Sequence, residues 1–546
     1  MRLKITLIFC FLLFTGPIAI GQERPRTTTF TPQDTASLVE ILKAEKLEYR
    51  RIDSVTELQI LAGRVQLKQG NSFFYCDSCV INNFAGLFEA FGNVHINDND
   101  TADVYSDYLL YKIKSKIAEL RRNVRLTDGQ ATLTTQELDY DLNTKIGLYR
   151  KGGRVVNKKT VLTSEEGIYY SDLKDVYFLK KVELKDTAYY VQTDSLLYNT
   201  ESETARFIAR TFIEDSSKRT IETSEGFYNL RSGKAEFGKR SVIRDGSVSV
   251  TGDNIAIDDS TKIMQISGRG ILKDTAEGRI VLGDEIFLDQ KKDAFLATKK
   301  PLMIVKQDED SIYISADTLF SARLSDLFGS NNDSIKTKDT IHGTIVLDTD
   351  TLANQKKDST DRYFEAFRNV RIFSDSMQAV CDSMFYSFKD STFRLFYKPV
   401  VWNKENQVTG DTILVFTRNK KADRLEVFNN SFLINRVEPE VYNQVKSRRL
   451  DAWFTEGDID SARARGQAES IYFLQDEDSA FTGINQSQSE LIDVYFFNRE
   501  LKKIVPRSFV KGTLWPIRQK TPGEMRLENF QWLDAKRPKT KYDLFE

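Results

Sequence analysis

The sequence predicts an all-β chain: a stacked short-strand β-jellyroll or solenoid with ~30-residue repeats, interrupted once by a polar insertion. Three observations lead there. A short pattern, an acidic or amide residue followed by aliphatic and aromatic residues, recurs as Asp77-Ser78-Cys79-Val80-Ile81, Asp107-Tyr108-Leu109-Leu110-Tyr111 and Gln136-Glu137-Leu138-Asp139-Tyr140. It continues at Glu166, Asp194, Glu225, Asp253, Asp284 and Asp317, with first residues 28–33 apart. Between these lie segments that alternate with period two, such as Val124/Leu126 and Val182/Leu184, the mark of half-buried strands. And no proline falls between Pro32 and Pro301, which suits a long run of paired backbone, because proline would delete ladder donors.

In chain order, Arg2 and Lys4 precede the apolar run Ile5–Phe14, and Ala19-Ile20-Gly21 offers small residues for a signal peptidase. Residues 1–21 therefore read as a signal peptide that carries Cys10 away with it, and the protein as exported. Residues 22–54 read as a linker and a short amphipathic capping helix, with Leu38, Ile41, Leu42 and Tyr49 on one face. The first repeat block covers 55–321. Residues 322–361, rich in Asp, Ser, Asn, Thr and Lys, read as a polar insertion with a lone strand-like segment at Ile341–Leu347. Periodicity resumes over 362–501, where Tyr363–Ile372 repeats the wording of Leu87–Ile96. The tail, 502–546, holds Pro506, Pro516, Pro522 and Pro538 and reads as leaving the stack.

Composition narrows the chemistry. Lys and Arg total 78 against 79 Asp and Glu, so no global field attracts nucleic acid, and none is expected as a partner. Two histidines, His95 and His342, leave little for a histidine base or a His-rich metal centre, and no metal or cofactor is expected. Nucleotide and hydrolase motifs are missing, and Gly268-Arg269-Gly270 lacks the third glycine of a dinucleotide fingerprint. Cys76 and Cys79 form a CxxC inside a strand, where residues three apart face opposite sides, so burial or an incidental disulfide outweighs a redox or zinc role. The recurrent acids could pair as in a glycosidase, but once per rung at strand starts they read first as turn formers and polar edges.

The apolar column is the feature with functional content. Leu109 and Tyr111, Leu138 and Tyr140, Ile168 and Tyr170, and Leu196 and Tyr198 are each two apart and share a face; Phe227, Ile255 and Ile286 extend the strip. Ordinary core is one reading; a long apolar groove for a lipid is the other.

The rungs with Asn-Val-x-Leu/Ile after an aliphatic segment, Asn93-Val94-His95-Ile96 and Asn123-Val124-Arg125-Leu126, and the Asp-x-Leu-x-Tyr strands resemble the organic-solvent-tolerance (OstA-like) family. These are periplasmic lipopolysaccharide-transport proteins of the LptA type, and the N-terminal domain of their outer-membrane partner is similar. The resemblance is best over Ile60–Ser321 and partial over Tyr363–Phe473. It implies a β-jellyroll that carries lipid A acyl chains in an apolar groove, without catalysis, in the periplasm of a Gram-negative bacterium, in association with the outer membrane. It also implies Lpt-type partners, and the unpaired strands at the open ends of such a stack predict edge-strand addition of a partner or head-to-tail self-association. The alternatives are a structural or adhesive solenoid with a closed core, and a polysaccharide-acting solenoid enzyme.

Overall fold

Eleven- and twelve-residue strands are too long for one narrow sheet, and here each bends once. In Leu87–Asp98 the bend falls at Gly92 and Asn93, both left-handed at φ 71° and 44°, where pairing with both neighbouring strands slips. The two residues swivel the chain so that Phe88 and Ala90 before the bend, and Val94 and Ile96 after it, all point inward. The computed structural model describes residues 38–98, 102–306, 311–327, 360–418, 421–476, 478, 480–497 and 500–545. The signal peptide, Cys10, His342 and Ile341–Leu347 lie outside the described residues.

The same corner recurs at Gly63/Arg64, Arg122/Asn123, Lys180/Lys181, Lys239/Arg240, Gly268/Arg269, Lys299/Lys300, Arg368/Asn369, Tyr397/Lys398 and Asn429/Asn430. One antiparallel ladder is thereby folded lengthwise into two facing half-sheets. Segments such as 78–82, 87–91, 108–112 and 117–121 form the first; 72–75, 94–98, 102–105 and 124–127 form the second. The corners make a seam along one edge, and the hairpin turns of both half-sheets meet along the other, which we call the mouth. Between them one apolar cluster runs from Leu61 to Leu501. The expected all-β stack of short strands is thus present, and the period is two hairpins, one per half-sheet.

The two repeat blocks are continuous. Thr318–Ala322 pairs directly with Tyr363–Phe367, so the insertion joins two neighbouring strands of the first half-sheet. Only Leu324–Leu327 of its described residues is helical.

The expected helix over residues 36–50 is not formed. Glu40–Lys43 and Lys46–Arg51 are strands paired with the two halves of Glu57–Gln69, and Glu45 sits at the corner, its N–H donating to the Ala62 carbonyl at 3.1 Å. The spacing of Leu38, Ile41, Leu42 and Tyr49 imitates a helix, but in this position extending the ladder satisfies more backbone groups than a lone helical turn would. Those side chains remain exposed at the first edge of the stack.

At the other end the ladder persists beyond residue 501. Glu500–Arg507 and Lys511–Pro516 form the last rung, Pro506 being tolerated because this strand lies on an edge. From Ile517 the chain leaves the ladder and runs back along the outer face of the second half-sheet. Met525 and Leu527 bury against Phe432, Ile434, Tyr442 and Ile484, Arg537 grips Gln378 at 2.6 Å, and Leu544 packs on Leu302 and Phe373. This strap gives strands such as Val400–Asn403 two buried faces. Among the described residues no helix is long and apolar enough to cross a membrane.

Candidate functional site

The column Leu109/Tyr111 has two layers with different duties. Leu109, Leu138, Leu196, Ile255 and Ile286 are fully buried between the half-sheets. The tyrosines two residues on are equally buried but lie at the mouth, where a phenol needs a partner. Each finds it on the facing half-sheet. Tyr111 Oη donates to Gln69 Oε1 at 2.6 Å, and Tyr140 Oη donates to Asp98 Oδ2 at 3.0 Å. Tyr198 Oη accepts from Asn157 Nδ2 at 3.3 Å, and Tyr228 Oη meets Tyr189 and Asp259. The offsets are 42, 42, 41 and 39 residues, so the repeat itself places tyrosine clasps across the mouth in four rungs, while the Tyr169 hydroxyl in the rung between Tyr140 and Tyr198 is buried without a hydrogen-bond partner among the described residues.

Ion pairs reinforce the clasps. Lys145 Nζ reaches the fully buried Asp98 carboxylate at 2.5 Å, and Arg219 Nη2 donates to Asp259 Oδ1 at 3.0 Å. Burial pushes the Asp259 carboxyl up, but hydrogen bonds from Tyr228 and the Arg219 charge overcome it and hold it below the usual carboxylate range. Burial drives the phenols of Tyr111, Tyr140 and Tyr169 upward, and that of Tyr198 to about 12.

Ile168, Tyr170 and Phe227 are not in this column. They point outward and are half-buried, while Tyr169 and Tyr228 point in. In the first case the rung begins at Glu165, whose carboxylate takes the corner contact with Lys181 at 2.6 Å, one residue before the acid that the pattern anchors on. In both cases a glycine, Gly167 or Gly226, holds the deep position that Leu109 holds elsewhere. Gly167 is required there because any Cβ would run into the Tyr149 ring, which fills that space.

The clasps stop in the middle of the stack. Where earlier rungs have tyrosine, the next two have Ile257 and Leu288. At the first, the Arg219–Asp259 pair still closes the mouth. At the second Leu288 offers no such bond, and a cavity of 510 Å³ opens between the half-sheets, lined by Ile243, Val250, Met264, Val281, Leu288 and Phe295. Its rim carries Arg219, Arg279 and Arg362 with Asp245, Asp274, Asp289 and Asp293. The sequence signal was present in the column, as the loss of its hydroxyl at Ile257 and Leu288.

The recurrent acids stand at the seam. Asp77, Asp107, Asp317 and Asp411 accept from Asn93, Asn123, Asn369 and Asn430, and Asp253 and Glu225 pair with Arg269 and Lys239. Each of these tie-points is on the outer surface and engaged by a corner residue. Among the described residues no group of three or more His, Cys, Asp or Glu side chains is arranged to hold a metal. Cys76 and Cys79 are both buried, against the expectation of opposite faces, because the corner at Asp77 and Ser78 lies between them. Cys76, Cys79 and Cys381 are free thiols.

Residues 36–194 match the family model described as OstA-like protein. No curated protein matches the chain. The matched segment covers the Tyr111 and Tyr140 clasps and ends before Tyr198, Tyr228 and the rungs that line the cavity.

Proposed function

We propose, from the match of residues 36–194 to the OstA-like family model, that the chain is a non-enzymatic carrier or bridge for lipopolysaccharide. In this reading it works in the periplasm and holds acyl chains between its half-sheets during transport to the outer membrane. The observation that carries the proposal is an apolar interior continuous from Leu61 to Leu501 that widens into a 510 Å³ cavity.

The energetics favour such a track. Each buried CH₂ is worth roughly 0.8 kcal/mol, so a twelve-carbon chain in water costs on the order of 10 kcal/mol. A tyrosine clasp contributes a net of about 0.5–1.5 kcal/mol, so parting one or two at a time to pass a chain costs less than exposing it. The edge strands Glu40–Lys43 and Lys46–Arg51, whose outer backbones pair with no strand among the described residues, provide the place for a transport partner or a second copy to add a strand.

A second reading, a structural solenoid whose core stays closed, is favoured by the complete burial of Tyr111, Tyr140 and Tyr198. Photo-crosslinkers at Val250 and Met264 in the cavity, and at Leu109 in a clasped rung, separate the two in cells. Carriage predicts lipopolysaccharide adducts at Val250 and Met264, with Leu109 labelled when lipid is in transit. No adducts anywhere, alongside adducts formed by an established carrier, would contradict it.

A further inference from the structure

We propose that the cavity at Leu288 is a side port in the middle of the stack, admitting one hydrocarbon tail of an anionic amphiphile whose phosphate-class head group is held at the rim by Arg279 and Arg362. The inference rests on the carrier reading and adds to it a route: loading through the mouth instead of from the ends of the ladder.

The port is a defined break in a repeated device. The offset that joins each tyrosine to its partner, 39–42 residues, leads from Leu288 to the Gly246–Ser247 turn, and both line the cavity. A leucine offers that turn no hydrogen bond, so the tyrosine tie is missing at that position. The opening is framed on both sides. Toward the clasped rungs stands the Arg219–Asp259 pair; on the far side Arg279 reaches across the mouth to lie over the Phe388 ring, 5.5 Å from its centroid. Arg219 and Arg279 stand four strand positions apart in the second half-sheet. At about 4.8 Å per strand the slot is roughly 19 Å long.

The contents fit a tail. Ile243, Val250, Met264, Val281 and Phe295 give the cavity apolar walls, and 510 Å³ lies within the about 300–1,000 Å³ of small-ligand sites. Facing sheets about 10 Å apart leave room for one layer of side chains, and a single tail occupies the layer that a tyrosine fills in the other rungs.

The rim fits an anion. Arg279 is 8% exposed and the Arg362 side chain 11%, and a pair of guanidinium forks suits the several acceptor oxygens of a phosphate. Their present partners are replaceable carboxylates: Asp293 for Arg362 at 2.7 Å, and Glu277 together with Asp274 for Arg279. Two of the four rim aspartates are engaged by their own hairpins, Asp274 accepting from the Ala276 N–H and Asp289 from the Lys291 N–H, both at 3.0 Å. Burial beside the Arg362 charge also weakens the hold of Arg279 on its proton, a strain that a bound anion relieves.

The test is titration of the full exported chain with dodecyl phosphate, dodecanol and dodecyltrimethylammonium. The proposal expects one dodecyl phosphate per chain, bound more tightly than dodecanol and at least tenfold more tightly than the cationic amphiphile. Leu288→Tyr, which restores the clasp, and Met264→Trp, which fills the cavity, should each weaken binding at least tenfold while unfolding like the parent. Arg362→Gln should weaken dodecyl phosphate but leave dodecanol unchanged. Unchanged affinity in both Leu288→Tyr and Met264→Trp, or equal affinity for the cationic amphiphile, overturns the port. If those variants still give lipopolysaccharide adducts in cells, carriage stands and the port falls; if no variant and no parent chain gives adducts, carriage falls as well.

Discussion

The Asn93 side-chain amide donates to the Asp77 carboxylate at 2.9 Å, tying the corner of one strand to the bend of its neighbour. The pair joins the two most legible features of the sequence, the acid that opens one pattern and the Asn-Val that opens the other. Asn93 is left-handed, a conformation asparagine tolerates better than most residues. Asn93→Gly therefore keeps the backbone and loses only the hydrogen bond, whereas Asn93→Ala loses both. Urea denaturation should show Gly costing about 0.5–1 kcal/mol and Ala about 1–2 kcal/mol more than that. Equal costs would refute the corner role.

Tyr140→Phe removes one hydrogen bond from the buried Asp98 and leaves Lys145 and Ser72 to hold it. A loss of about 1–3 kcal/mol in chemical denaturation is expected, because the carboxylate is fully buried. The outward-facing Tyr170→Phe should change stability by less than about 0.5 kcal/mol.

The clasps should fail in alkali. Burial raises the Tyr198 and Tyr149 phenols from 10.0 to about 12, so the folded chain holds these protons more tightly than the unfolded one. Their contribution is complete below pH 10 and is lost as pH climbs from 10 to about 12. Melting temperature followed with tyrosinate absorbance should fall across that window, with ionisation and unfolding coincident. Ionisation of all the tyrosines near pH 10 without unfolding would contradict the burial of Tyr149 and Tyr198.

Deleting the strap from Ile517 onward uncovers Phe432, Ile434, Tyr442 and Ile484 on the outer face of the second half-sheet. The truncated chain is expected to bind a hydrophobic dye and to associate, while the far-UV spectrum stays β-rich. A monomer with no increase in dye binding would show that the strap is dispensable.

Much of this architecture was readable because a ~30-residue repeat writes each contact many times. Leu109 and Tyr111 could be placed on one face from their spacing alone. Ile168, Tyr170 and Phe227 could not, since in their rungs glycine takes the deep position and Tyr149 enters from a neighbouring strand, a substitution between strands that no single-strand pattern records. The terminal strands read as a helix because Leu38, Ile41 and Leu42 are exposed edge residues, free of the alternation that a facing layer imposes. The bend that turns Cys76 and Cys79 the same way is a slip in strand register between Tyr75 and Ser78, and the strap depends on contacts between residues as far apart as Gln378 and Arg537.

The central claim is that the space between the half-sheets carries lipopolysaccharide, and native mass spectrometry tests it most directly. The chain would be purified without detergent from cells that make lipopolysaccharide. The account predicts a bound species with the mass of lipopolysaccharide, depleted in Met264→Trp. A lipid-free chain from the same cells, under conditions in which an established carrier retains its lipid, would contradict it.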